Sequence, residues 1–285
     1  MRIKLTRDPD AFARRAQPWL ERLECNVMAT VLMNVRERAI PGWFGWAVGD
    51  GDTLGVLALH TPPWPLLLTA DEPELVAPLL ERWLDEDPAL PGATGTPSAA
   101  RAAAGAWAHL TGGRTEIRLR EAMHVLEEVL EPRRPADGAL RVAAPDERDL
   151  LAEWWRAFAV EAGTAGANEA EALVAAAMRR GGVLVWEDAG RPVTLVGVNR
   201  PVAGVVRIGP VYTPPGLRRR GYATSAVAAA SRRALNGGAS RCMLYTDLAN
   251  PTSNKIYASI GYRRVGDWEE HEFSTAVAPA SSPRA

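Results

Sequence analysis

The sequence predicts an α/β (α+β) chain of two domains in tandem, on three observations. At 285 residues it is long for one compact domain and comfortable for two of roughly 130–150 residues. A polar stretch with two prolines and a glycine, Glu131 to Gly138, divides it. A similar order of strand, helices, hairpin, strand and helix occurs on both sides of that stretch. The expected layout is a first domain over 1–134, a second over 139–273 and a disordered tail over 274–285, rich in Ser, Thr, Ala and Pro. The apolar share is 47% and the charged share 24%, ordinary for a soluble globular protein. A net charge of −1 gives no global signal for nucleic acid or an acidic membrane surface. No run is long and apolar enough for a signal peptide or membrane span. Two cysteines make no disulfide framework, and Cys242 alternates with apolar neighbours, which predicts a buried free thiol. A reducing, cytoplasmic location is expected.

In the first half, Arg2 to Thr6 reads as a strand, and Asp8 or Asp10 as the cap of a helix from about Ala11. Helical spacing runs on to about Val35, enough for two helices. Trp43–Val48 and Thr53–Leu59 flank Gly49-Asp50-Gly51-Asp52, a hairpin signal. Leu66–Leu68 is a strand, and Glu74–Trp83 a helix capped by Asp71. Gly92–Thr96 reads as a turn-rich connection. Ser98–Leu110 is an Ala-rich helix, Thr115–Arg120 a strand, and Met123–Leu130 either its extension or a last short helix.

In the second half, Ala139–Ala143 is a strand and Leu150–Val160 a helix, broken by Glu161-Ala-Gly-Thr-Ala-Gly. Trp154, Trp155 and Phe158 on that helix are either a core stripe or an acceptor-pocket wall. Asn168 is the expected cap of a helix over Glu171–Met178. Val183–Trp186 and Val193–Val198 form a hairpin around Glu187-Asp188-Ala189-Gly190. Val205–Tyr212 is a strand interrupted by Gly209-Pro210, which points to an edge or a bulge. A helix over Tyr222–Leu235, a strand over Cys242–Tyr245, a short helix over Asn250–Ser259 and strands at Tyr262–Val265 and Trp268–Phe273 complete the fold.

The most informative stretch is Val211-Tyr-Thr-Pro-Pro-Gly-Leu-Arg-Arg-Arg-Gly-Tyr-Ala-Thr224. A strand runs through a glycine-bearing turn into a helix start, where the first N–H groups lack intrahelical partners and the helix dipole is positive. Gly221 removes a Cβ from that approach, and Arg218, Arg219 and Arg220 add positive charge and bidentate donors. The chemistry suits a pyrophosphate. The matching junction of the first half, Thr69-Ala70-Asp71-Glu72, is acidic and would repel one, so one cofactor site per chain is expected.

Arg218-Arg219-Arg220-Gly221-Tyr222-Ala223 resembles the Arg/Gln-x-x-Gly-x-Gly/Ala signature of the GNAT superfamily of N-acetyltransferases. Asn250-Pro-Thr-Ser-Asn-Lys-Ile-Tyr257-Ala-Ser-Ile-Gly-Tyr262 resembles that family's later motif, in the right order. The resemblance covers roughly 139–273. The first half resembles the degenerate N-terminal GNAT-like domain of two-domain members. The implied architecture is two GNAT-like domains, each a mixed, mostly antiparallel sheet flanked by helices. The implied donor is acetyl-CoA or another acyl-CoA, and the implied acceptor a small-molecule or peptide amine. The donor's pantetheine arm would pair with backbone groups of Val211, Tyr212 and Thr213, its pyrophosphate would lie at Arg219, Arg220, Gly221, Tyr222, Ala223 and Thr224, and Arg218 is a further implied cofactor-binding residue.

The resemblance implies direct attack by a neutral amine on the thioester, with Tyr257 as the acid for the departing thiolate; the residue reads equally as a helix tyrosine packed on the core. Asn250 either bonds the pantetheine or caps the helix. Ser253 and Asn254 either line the cofactor or face solvent. Glu161 is the candidate base or simply an exposed helix-end carboxylate. The four histidines show no metal-ligand spacing, so no metal is expected. The alternative function is an inactive acyl-CoA-binding sensor that recruits a partner. No nucleic-acid or membrane partner is expected, and the chain is expected to be a monomer or homodimer.

Overall fold

A computed structural model describes residues 1–164 and 166–275. Residues 276–285, most of the expected tail, lie outside the described residues. The contacts divide the chain into two units, Met1–Leu119 together with the strand from Trp268, and Arg120–Asp267. The boundaries fall within two strands, β6 (Arg114–Leu126) and β12 (Arg263–Ser274). The polar stretch 131–138 lies inside the second unit and is packed there: the Ala136 N–H donates to Ser225 Oγ (2.8 Å) and Trp186 Nε1 to the Asp137 carbonyl (2.8 Å).

The first unit holds β1 (Arg2–Thr6), β2 (Trp43–Val48), β3 (Leu54–His60), β4 (Leu66–Ala70) and β5 (Gly92–Gly95), with β12 on the far side of β5. Among the pairings of the described residues in this unit, β4 with β5 is parallel and the others are antiparallel. Its helices are α1 (Pro9–Leu20), α2 (Asn26–Arg38), α3 (Val76–Glu86) and α4 (Pro97–Thr111). Asp8, rather than Asp10, caps α1 by accepting from the Asp10 and Ala11 N–H groups. Trp83, Leu80 and Ala103 of α3 and α4 bury against Leu68 and Val56 of the sheet, the leucine and valine side chains contributing roughly 1.5–3 kcal/mol each.

The expected connection at Gly92–Thr96 is in fact strand β5. Its glycines are required by close strand approach: a Cβ at Gly92 would lie 2.2 Å from the His271 carbonyl oxygen, and one at Gly95 2.1 Å from that of Leu68. Met123–Leu126 extends β6 and does not form a helix. The two strands expected at the end are one, β12.

The second unit holds β7 (Ala139–Val142), β8 (Val183–Asp188), β9 (Arg191–Val198), β10 (Val205–Tyr212) and β11 (Arg241–Asp247), in the order β6-β11-β10-β9-β8-β7. Its helices are α5 (Arg148–Glu161), α6 (Ala170–Arg179), α7 (Tyr222–Asn236) and α8 (Pro251–Ser259). On one face α7 buries Ala226 and Val227 against Val206, Ile208 and Leu244. On the other, Leu151 of α5 and Val174 of α6 meet Val185 and Leu195. Trp154 is buried there, with the half-buried Trp155 and Phe158 packed against the cluster. Asn168 does not cap α6; the flanking residue is Glu169, without a side-chain cap bond. The unit is a mixed sheet between helices, the α/β class expected. Cys25 and Cys242 are buried free thiols, and burial pushes Cys242 up to about 11. Among the described residues no helix is long and apolar enough to cross a membrane.

Candidate functional site

The site begins with a strand that leaves its neighbour. β10 pairs in parallel with β11 over Val205–Arg207, opposite Arg241–Met243. β11 then continues on β6 as far as Asp247, while β10 continues on β9 with its register slipped between Ile208 and Val211. The cause is local. Pro210 has no N–H to give a ladder, and Gly209 holds φ 143°, closed to an L side chain. Gly197 of β9 lets the bulge approach: a Cβ there would lie 2.5 Å from the Gly209 carbonyl oxygen. Past Arg207 the strands form a wedge, in which no β10–β11 pairing is found among the described residues. The β10 backbone on that side is therefore open to another chain-like partner.

The wedge leads into the arginine turn. A 3-10 turn over Pro215–Leu217 is followed by Arg219 at φ 65° and Gly221 at φ 84°, and α7 starts at Tyr222. Space around Gly221 is ordinary, with the Arg134 carbonyl oxygen 3.6 Å from where a Cβ would sit, so the left-handed backbone is what requires glycine there. No side chain caps α7. The N–H groups of Tyr222, Ala223 and Thr224 thus point from a positive helix end, beside the exposed side chains of Arg219 and Arg220.

Arg218 differs from its two neighbours. Its Nε donates to the Thr213 carbonyl (2.8 Å) and its Nη2 to Glu161 Oε2 (2.6 Å). Glu161 Oε1 accepts from the Tyr212 hydroxyl (3.0 Å). The guanidinium also lies 5.5 Å from the Tyr212 ring centroid. The end of α5, the end of β10 and the arginine turn are thereby joined through three side chains. Burial, and then the carboxylate of Glu161, raise the Tyr212 hydroxyl above its usual value. Thr213 Oγ1 bonds Thr194 Oγ1 (2.8 Å), and Tyr222 donates to Asp188 (2.5 Å), a bond that raises its own pKa.

On α8, Asn250 is the N-cap and accepts from the Ser253 N–H (3.2 Å). Asn254 Oδ1 accepts from Thr246 Oγ1 (2.6 Å), and its Nδ2 donates to the carbonyls of Asn250 (3.0 Å) and Asp247 (3.3 Å). These bonds tie α8 to the end of β11, and the half-buried Ser253 sits in the first helical turn. The Tyr257 ring meets Tyr262 edge-on at 6.0 Å. The residue is half-buried, its hydroxyl makes no hydrogen bond among the described residues, and burial pushes its pKa up to about 12. The roles of Tyr212 and Asp188 as side-chain partners are not readable from spacing, because each partner comes from a distant element. Among the described residues no cluster of His, Cys, Asp and Glu could hold a metal ion.

Residues 148–262 match the model of the acetyltransferase (GNAT) family. No curated protein matches the sequence. A Drosophila protein of known structure is 14% identical over 95% of this chain and 98% of its own, with a TM-score of 0.68. A GCN5-related N-acetyltransferase from Sphaerobacter thermophilus is 15% identical over 94% of both chains, with a TM-score of 0.58. An acetyltransferase of the GNAT family from Colwellia psychrerythraea is 11% identical over 96% of this chain and 100% of its own, with a TM-score of 0.57. At these identities the likeness is one of fold, and it extends along nearly the whole chain. With the splayed strand, the open helix start and the family match falling on the same unit, residues 148–262 form a GNAT-family domain.

Proposed function

We propose that the second unit is an N-acetyltransferase that moves an acetyl group from acetyl-CoA to a primary amine by direct attack. The observation that carries this reading is the continuity of the open β10 edge with the uncapped N-terminus of α7. The first suits an amide-rich arm, which pairs with Val211–Thr213 as an added strand. The second suits a diphosphate, held by the N–H groups of Tyr222–Thr224 and the charges of Arg219 and Arg220. Asn250 and Asn254 contribute by fixing the α8 start, and Ser253 borders it.

In the reaction the amine nitrogen bonds the thioester carbon, the C–S bond breaks, and one amine proton ends on the CoA sulfur. Tyr257 is the donor to that sulfur. At about 12 its pKa lies well above that of a thiol, ~8.5, so it stabilises the leaving thiolate by hydrogen bonding more than by full proton transfer. Glu161 stands at the mouth as the acceptor-side carboxylate. We place one donor site in the chain. In the first unit, Asp71 is engaged by Arg22 (2.9 Å) and the Glu72 carboxylate packs against Gly49 and Gly55 after β4, so that junction offers negative charge where a diphosphate would need positive.

The test is titration calorimetry with acetyl-CoA, followed by thiol release against amines. Binding that Gly221→Glu abolishes is expected, because the substitution adds both a strained left-handed side chain and a negative charge. Wild-type protein that fails to bind acetyl-CoA would end the proposal. A second reading, an acyl-CoA-binding protein without turnover, is favoured by one observation: Glu161 is held by Arg218 and Tyr212. It predicts binding without thiol release across the amine panel.

A further inference from the structure

Arg207 is the last residue of β10 that pairs with β11. Val206 and Ile208 on either side of it bury against α7, so strand alternation sends the Arg207 side chain to the opposite face, at the root of the wedge. The side chain is half-buried, and its Nε is shut off from solvent with no hydrogen-bond partner. No ion pair of Arg207 is found among the described residues. The ionisable groups that act on it, Glu121 and Tyr245, do so through space, and burial lowers its pKa. A guanidinium whose Nε is cut off from water with no bonded anion is costly, and its planar fork is shaped for a carboxylate. The donor's phosphates have their own place at the start of α7, beyond the other end of β10. This second cationic group therefore serves the acceptor.

We propose that Arg207 binds the carboxylate of the acceptor, so that the substrate of the acetyltransferase reaction proposed above is an amino acid. A phosphate-bearing amine fits less well, because the negative charge of Glu121 in the same field opposes a dianion. A zwitterion matches that field, with its carboxylate toward Arg207 and its amine toward the wedge where the thioester carbon lies. The products are the N-acetyl amino acid and CoA thiol; the nitrogen gains the acyl carbon, the sulfur gains the proton, and nothing else is consumed.

The experiment measures thiol release from acetyl-CoA with amino acids and with the same amino acids as carboxamides. For the wild type the free acids are expected to exceed the amides at least tenfold in kcat/KM. Arg207→Met removes that preference while leaving the affinity for acetyl-CoA unchanged, and Arg207→Lys keeps part of it. Should Arg207→Met not fold, the wild type decides alone: CoA-loaded protein is titrated with N-acetyl amino acids and their amides, and the acids are expected to bind at least tenfold more tightly. Equal use or equal binding of acids and amides, no binding of either, or a loss in Arg207→Met that falls alike on both, overturns the inference. Failure of acetyl-CoA itself to bind sinks the acetyltransferase reading and this inference together; binding without a carboxylate preference sinks this inference only.

Discussion

Arg218 and Arg219 are neighbours in sequence and opposites in role. Arg219 is exposed at φ 65°, whereas Arg218 is held by the Thr213 carbonyl and Glu161. The triplet therefore announces positive charge in the sequence but not its division, since Glu161 lies 57 positions away. That carboxylate occupies the guanidinium edge that an incoming diphosphate would use. Glu161→Gln is accordingly expected to tighten acetyl-CoA binding by up to about fivefold, because an exposed pair is worth at most about 1 kcal/mol. The gain should appear with 3′,5′-ADP and vanish with pantetheine, as calorimetry on the three ligands would show. The motif singles out Tyr257 in the sequence, but the environment of its side chain is not readable there. With its pKa pushed up to about 12, the phenol stays protonated through pH 10, so wild-type thiol release should show no alkaline limb from this group below that pH. Tyr257→Phe should lower kcat by about tenfold or more, toward the lower end of typical acid–base contributions, with little change in acetyl-CoA affinity.

Helix α8 spans nine residues, too few to persist on propensity alone. Its cap and its tie to β11 hold it. Asn250→Ala removes the cap and should cost about 1 kcal/mol. Asn254→Ala should cost more, about 1–3 kcal/mol, because it also strips the buried Thr246 hydroxyl of its short bond and leaves it only the long contact to His124 Nδ1 (3.5 Å). Thermal unfolding should rank the two variants in that order, and the reverse order would contradict the role given to Asn254. Most elements were legible because their periodicity or turn residues are local: Asp8, the two hairpins and the Gly209-Pro210 interruption each carry their own signal. Strand β5 was not, since Gly-Ala-Thr-Gly has no apolar alternation and only Thr94 as a strand former between two glycines. Its glycines answer to the backbones of Leu68 and His271, neighbours that no window of sequence contains.

Each unit completes its sheet with a strand drawn from far along the chain: β6 lies beside β11, and β12 beside β5. Alternation shows which face of a strand is buried but not which strand lies next to it, so this arrangement was hidden from the sequence, while the twofold repetition of element order was visible. A fragment cut at the polar stretch, 139–285, lacks β6 and leaves the β11 edge bare. A fragment of 120–267 keeps that pairing. We expect the 139–285 fragment to aggregate and the 120–267 fragment to give dispersed amide resonances and bind acetyl-CoA; the opposite outcome would contradict the division of the chain. The same arrangement sets an order for synthesis. The ribosome delivers the whole of the second unit before it releases β12, so the unit encoded first is the last to be finished. Until β12 emerges, the nascent chain carries the unpaired edge of β5, and the interval in which a chaperone would be needed belongs to the amino-terminal unit rather than to the one that emerges after it.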